Sequence, residues 1–161
     1  MKLTQDRLKE LLYYDPETGL FTWLISPSIR VKAGDKAGCD YGRGYISIFI
    51  DKKKYSAHRL AFLYITGKFP VDMTDHKNGI KNDNRWDNLR EANRSINSQN
   101  MRKPTKNNSC GFLGVYKSYG SFAAQIVSGG KKIYLGTYAS AELAHAVYIE
   151  AKRRLHEGNT L

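Results

Sequence analysis

The chain has 161 residues, enough for one domain of ordinary size or two small ones. Its formal net charge of +11 indicates a polyanionic partner. Its two cysteines form no C-x-x-C pair and no apolar run approaches the length of a membrane span, so we expect no structural zinc, no disulfide framework, no membrane partner and a cytoplasmic protein.

The first seventy residues carry signals for short helices and strands. Thr4 can cap a helix that runs to about Tyr14. A second helix is predicted over 58–66, ended by Gly67. Three short strands are predicted between the two helices: 20–24, 45–50 and 54–57.

The segment 75–100 is too polar to build a core. It contains an adjacent Asp75-His76 pair, seven asparagines and several arginines. A neighbouring carboxylate and imidazole can hold a hard cation and deprotonate a water beside it. Amide oxygens suit Mg²⁺ or Ca²⁺ and suit Zn²⁺ poorly.

We expect a hairpin followed by a helix within 71–102. Residues 71–76 and 89–91 are the two expected strands, with 77–88 as a long loop between them. Asn93 can cap a helix from 94 to about 102, which would bring Asn97 over the hairpin.

This segment resembles the ββα-metal motif of HNH nucleases. It is most similar to phage and intron-borne homing endonucleases in which Asn replaces the third His. Asp75-His76, Asn88 and Asn97 carry the resemblance, within the matching contexts D-N-R-W-D-N-L-R and N-R-S-I-N-S-Q-N.

The resemblance implies a role for each of these residues. His76 is the expected general base, and Asn88 would hold its second ring nitrogen. Asp75 and Asn97 would bind a single Mg²⁺ or Mn²⁺ ion, with no zinc. The implied reaction is hydrolysis of DNA that leaves 5′-phosphate and 3′-hydroxyl ends.

Other interpretations of the same residues stay open. The segment can be an Asn-rich surface loop, Asn88 a turn residue and Asn97 an exposed helix amide. Asn93 is a rival metal ligand, although a helix cap explains it better.

Charge is distributed unevenly along the chain. Residues 71–101 carry 5 basic and 5 acidic side chains, whereas 1–70 have a net charge of +5 and 102–161 a net charge of +6. We therefore expect two basic arms that neutralise DNA phosphates on either side of a neutral catalytic segment. The arginines expected to contact DNA here are Arg59, Arg85, Arg90 and Arg94.

The polar segment 103–109 is the predicted linker to a second domain. Beyond it, three strands are predicted at 115–117, 121–127 and 131–138, and Ser140 can cap a final helix. Residues 111–155 resemble the Apetala-type DNA-binding domain, through G-V-Y-K, F-A-A-Q-I and L-G-T-Y-A-S-A-E-L-A-H-A-V-Y. The sequence departs from that family's pattern at Phe122, where Trp is usual, and at Gln125, where Arg is common.

An open sheet face in this domain could enter the major groove of DNA. The residues expected to contact DNA are Tyr116, Lys117, Phe122, Gln125, Lys131, Lys132 and Tyr134. The alternative is that the aromatic residues form the core and the lysines only solvate the surface.

We therefore expect an α+β protein. Its parts are an HNH nuclease region over 1–102, divided into 1–70 and the catalytic 71–102, the linker 103–109 and a DNA-binding domain over 110–161. The expected function is metal-dependent, site-directed cleavage or nicking of double-stranded DNA by a monomer. A non-catalytic DNA-binding transcriptional regulator is the alternative, and a structural RNA-binding protein ranks third.

Overall fold

The computed structural model describes residues 3–160 and contains both helices and small antiparallel sheets, as expected. The chain divides into two compact units, Met1–Asn93 and Arg94–Leu161. This division falls before the helix expected to carry Asn97, whereas the sequence placed its boundary after residue 102. Within residues 3–160, no helix is both long and apolar enough to cross a membrane.

The first unit contains two helices and three small antiparallel sheets. The pairings are β1 with β2, β3–β4–β5 in that order, and β6 with β7. Its elements are α1 (Gln5–Leu11), β1 (Leu12–Asp15), β2 (Leu20–Trp23), β3 (Cys39–Asp40), β4 (Ile46–Ile50), β5 (Lys53–Ser56), α2 (Ala57–Thr66), β6 (Met73–His76), a 3₁₀ turn (Trp86–Asn88) and β7 (Leu89–Ala92).

Helix α1 is shorter than predicted. Thr4 caps it as expected, with its hydroxyl oxygen accepting from the backbone N–H of Arg7 at 3.3 Å. The prediction that the helix continues to Tyr14 is wrong, because residues 12–15 pair with β2. This pairing buries Tyr14, whose ring stacks on Phe21 at 4.6 Å between centroids.

One hydrophobic core joins the helices and sheets of the first unit. Leu8 and Leu12 belong to this core together with Leu60 and Ala61 of α2, and all four are fully buried. Helix α2 ends at Gly67, which adopts φ +76° and closes the helix in the left-handed conformation.

The second unit is a three-stranded antiparallel sheet covered by a helix, together with one short helix. The order of its strands is β10–β9–β8, and α4 packs on all three. Its elements are α3 (Arg94–Gln99), β8 (Val115–Ser118), β9 (Ser121–Ser128), β10 (Lys131–Tyr138) and α4 (Ala141–Leu155). The predicted strands and the Ser140 cap of α4 are confirmed.

Two glycines of the second unit permit close packing. A Cβ on Gly114 would lie 2.0 Å from the ring of Tyr148 on α4, so only glycine allows the ring to approach. In β10, the register of pairing with β9 shifts between Tyr134 and Gly136, which marks a β-bulge at this glycine.

Candidate active site

The β6–β7 hairpin presents Asp75 and His76 from adjacent positions on one strand. Asp75 pairs with Arg90 across the hairpin, and His76 pairs with Leu89. Only 6% of Asp75 and 4% of His76 is exposed. The predicted hairpin is present, although β6 begins at Met73, two residues later than expected.

The amide of Asn84 contacts the imidazole of His76. Its Oδ1 lies 3.2 Å from Nε2 of His76, and the contact is buried. Burial lowers the pKa of His76, while the hydrogen bond to Asn84 opposes that shift. His76 is therefore neutral at neutral pH and able to accept a proton.

We expected Asn88 to hold the second ring nitrogen of His76, but its side chain forms hydrogen bonds within the 77–88 loop. Its Oδ1 accepts from the backbone N–H of Asn78 at 3.0 Å, and its Nδ2 donates to the carbonyl of Asp83 at 2.7 Å. The carbonyl of Asn88 also accepts from Lys77 N at 2.8 Å. Asn88 thus holds the loop closed, and Asn84 contacts the imidazole.

The N-terminal hairpin supports the loop segment that carries Asn84. The Tyr14 hydroxyl donates to the carbonyl of Asn84 at 2.7 Å, and Trp86 N donates to the carbonyl of Pro16 at 2.9 Å. At Gly19, with φ +73°, a Cβ would lie 2.4 Å from the backbone nitrogen of Arg85. The β1–β2 turn and the loop therefore pack backbone to backbone.

Arg90 forms an ion pair with Asp75, the expected metal ligand. Both Nε and Nη2 of Arg90 donate to Oδ2 of Asp75, at 3.0 and 2.7 Å. We expected Arg90 to contact DNA phosphate. In this structure its guanidinium instead neutralises a buried carboxylate, because the hairpin register places the two residues opposite one another.

The other two predicted DNA-contacting arginines of this unit also have partners within the protein. Arg85 makes a bidentate pair with Asp83, at 2.8 and 2.6 Å, and this pair holds the pKa of Asp83 down to about 2. Arg59 donates to the backbone carbonyls of Asp72 and Pro70. Arg59 thereby braces the segment that leads into β6.

A second histidine lies beside His76. The ring of His58, at the start of α2, meets the ring of His76 edge-on at 5.2 Å between centroids, and Tyr45 contacts both rings. Burial, with the nearby His76 and Arg59, lowers the pKa of His58 to about 4. No local sequence signal indicates this contact, because the two histidines lie on separate elements of the first unit.

Asn97 lies on α3, in the second unit, and is exposed. Arg94, the remaining predicted phosphate contact, is also exposed on α3. Within that unit, α3 is tied to residues near 158, since Gly158 N donates to Oε1 of Gln99 at 2.9 Å. Within residues 3–160, no three His, Cys, Asp or Glu side chains cluster closely enough to hold a metal ion.

The register of the second unit's sheet divides the predicted DNA-binding residues between two faces. Tyr116, Gln125, Lys132 and Tyr134 share the face opposite α4, and Tyr134 is 62% exposed. Phe122, which we expected to contact DNA, is partly buried and packs against the core beneath α4. Lys117 and Lys131 are exposed, but the strand register places them on the α4 side.

Comparisons with known proteins agree with the resemblance of the hairpin region. Residues 55–99 match a family model described as HNH endonuclease. No curated protein and no solved structure matches the chain. The matched segment spans α2, the Asp75-His76 hairpin and α3, so this part of the chain is similar to an HNH endonuclease, which supports a nuclease activity on DNA.

Proposed function

We propose that this chain is a metal-dependent, homing-type endonuclease that cuts or nicks double-stranded DNA with His76 as its general base. The observation that carries the proposal is the contact between His76 and Asn84 in a buried site. A buried, neutral imidazole held by an amide oxygen suits proton abstraction from water.

The contact with Asn84 also indicates which ring nitrogen accepts the proton. Oδ1 of Asn84 is an acceptor, so Nε2 of His76 carries the hydrogen. The lone pair then lies on Nδ1, which is the basic atom. Asn84 acts as a positioning residue that holds the ring in this tautomer.

Asp75 supplies the carboxylate for a divalent cation. A carboxylate and an amide oxygen are hard ligands, and this donor set fits Mg²⁺ or Mn²⁺. The resemblance assigns the amide oxygen to Asn97. When bound, such an ion polarises the phosphoryl oxygen and stabilises the leaving 3′ oxygen.

Arg90 balances the charge of Asp75 before the cation arrives. Its guanidinium contacts one oxygen of the carboxylate, which keeps the buried charge compensated. We propose that Arg90 is released toward a DNA phosphate when the cation takes its place, which would reconcile the ion pair with the expected phosphate contact.

For the second unit we propose an Apetala-type role in DNA binding. Its open face presents Tyr116, Gln125, Lys132 and Tyr134, which combine a cation, an amide and two aromatic rings. Such a face can be inserted into the major groove as other β-sheet readers are. The alternative function is that of a DNA-binding regulator without catalysis. Such a protein would use this face to bind DNA, and His76 would have no catalytic role.

Cleavage of supercoiled plasmid tests the proposal. Wild-type protein with Mg²⁺ should give nicked or linear product, and EDTA should abolish it. His76→Ala and Asp75→Asn should lose at least about a hundredfold in rate while retaining DNA affinity, since general-base catalysis contributes about 10²–10⁴.

Asn82→Ala is the matched control for the loop, since Asn82 is exposed and two residues from Asn84. It should cut at the wild-type rate. DNA binding without cleavage by the wild-type protein, in Mg²⁺ and in Mn²⁺, would favour the regulator instead.

A further inference from the structure

A cleft of 380 Å³ opens on the first unit between the 40–44 turn, β4, β5, the start of α2 and β6. Its volume lies in the range of small-ligand sites. Five of its eight lining side chains carry a hydroxyl, one is an imidazole and two are cations, Arg43 and Lys54. No lining residue, within the described part of the chain, is a carboxylate, so the cleft suits an anion.

Two residues that line this cleft each have a buried polar atom without a hydrogen-bond partner among residues 3–160. Oγ1 of Thr74 and Nδ1 of His58 are buried and make no hydrogen bond within residues 3–160. A buried hydroxyl without a partner destabilises a protein, and such groups are rare in folded structures. An oxygen of a bound anion would accept hydrogen bonds from both groups.

The two cations are held at the rim of the cleft. Oδ1 of Asp40 accepts from the backbone N–H groups of Gly42, Arg43 and Gly44 at 2.9–3.0 Å, which fixes the turn that carries Arg43. The ammonium of Lys54 lies 4.2 Å from the centroid of the Tyr41 ring. The turn that carries Arg43 and the ammonium of Lys54 are therefore positioned before a ligand binds.

Two residues that line the cleft, His58 and Tyr45, contact the ring of His76. Thr74 directly precedes Asp75 on β6, and His58 contacts His76 edge-on at 5.2 Å. An anion seated in the cleft therefore lies beside the place where the scissile phosphodiester must lie for His76 to activate its water. This argument rests on the proposed nuclease function.

We propose that this cleft binds one phosphodiester of the DNA backbone beside the scissile one, through Thr74, His58, Arg43 and Lys54. The bound phosphate fixes the position of the strand relative to His76. These four side chains are positioning residues that take no part in proton transfer. Because they contact phosphate alone, their contribution is independent of DNA sequence.

Binding in EDTA tests the proposal without any dependence on cleavage. The full chain is titrated into a fluorescein-labelled duplex of random sequence, and anisotropy gives the Kd at several salt concentrations. Thr74→Val should raise the Kd about tenfold, the loss expected for a hydrogen bond to a charged group. Thr74→Ser should restore the wild-type Kd.

Thermal unfolding of the same variants separates binding from structure. Thr74→Val removes a buried hydroxyl that has no partner among residues 3–160, so its Tm should match or exceed that of wild type. Weaker DNA binding in a protein of equal or greater stability would support the proposal. An unchanged Kd for folded Thr74→Val would overturn it.

The salt dependence of DNA binding provides a second test. Arg43→Ala and Lys54→Ala should each reduce the slope of log K against log salt, and together they should reduce it by about 0.9, the value for one phosphate contact. Arg30→Ala and Lys68→Ala, exposed cations of the same unit outside the cleft, should leave the slope unchanged. Equal losses in all four variants would show a diffuse basic surface and overturn the site.

Cleavage by wild-type protein in Mg²⁺ is scored separately. Cleavage together with unchanged binding by the Thr74 and Arg43 variants overturns the cleft and leaves the nuclease intact. If wild-type protein fails to cut, the proposed function is refuted, and the anisotropy data still decide whether the cleft binds DNA.

Discussion

Gly19→Ala should damage the active site from the opposite side of the loop. Gly19 has φ +73°, and a Cβ there would lie 2.4 Å from Arg85 N and from the carbonyl carbon of Asn84. Ordinary contact begins at 3.4 Å, so the loop backbone must shift by about 1 Å. That segment carries the Asn84 amide that contacts His76.

The expected loss of stability in Gly19→Ala has two contributions. A non-glycine residue in the left-handed region costs about 1–2 kcal/mol, and forcing an atom into a packed region costs about 1–3 kcal/mol more. Gly19→Ala should therefore lower the free energy of unfolding by about 2–5 kcal/mol. A 1 Å displacement near a catalytic group can cost about a hundredfold in rate, and we expect a loss of that order.

Gly34→Ala is the matched control for this substitution. Gly34 has φ +92° in the same unit, but a Cβ there meets nothing within 4 Å. Gly34→Ala should lower the free energy of unfolding by the conformational contribution alone, about 1–2 kcal/mol, and should keep the wild-type cleavage rate. Urea unfolding and single-turnover cleavage measure both quantities, and equal losses in the two variants would refute the packing argument.

Three further predictions concern protonation and DNA contact. Asn84→Ala removes a hydrogen bond that raises the pKa of His76, so the acidic limb of the cleavage pH profile should move to lower pH; an unmoved limb would contradict the assignment. Burial lowers the pKa of His58 to about 4, so folding favours its neutral form. Urea unfolding should therefore show that the free energy of unfolding falls by about 3 kcal/mol as the pH falls from about 6.5 toward 4. His58→Leu should make the free energy of unfolding less dependent on pH in this range. Lys132→Ala, on the open sheet face, should reduce the salt slope of DNA binding by about 0.9 as measured by anisotropy, whereas Lys131→Ala on the other face should not.

Local signals predicted most of the elements correctly, because their boundaries have local causes. Thr4, Gly67 and Ser140 cap helices as their residue types suggest. The end of α1 was wrong because Tyr14 fits a helical pattern as well as a strand, and only pairing with Phe21 decides between them. Tertiary pairing overrides local propensity there.

Spacing along the chain pointed to Asp75 and His76, which the structure places side by side on β6, but it did not point to the amide that contacts the imidazole. Asn84 and Asn88 both lie in the loop after His76. Asn84 contacts the imidazole, whereas the Asn88 side chain bonds to the backbone of Asn78, and this difference depends on how the loop folds. Likewise, we expected Phe122 to contact DNA. Its register with β8 places it in the core, and register is not visible in one strand alone.

The attachment of α3 to the segment near residue 158 has a consequence for how the protein is made. Gln99 accepts from Gly158, and the carbonyl of Met101 accepts from Lys152, which is 1% exposed. Residues 3–93 leave the ribosome first, whereas α3 gains these partners only after residue 158 has emerged. A partly synthesised chain thus contains the complete β6–β7 hairpin before α3 has the partners that hold it in place within the second unit.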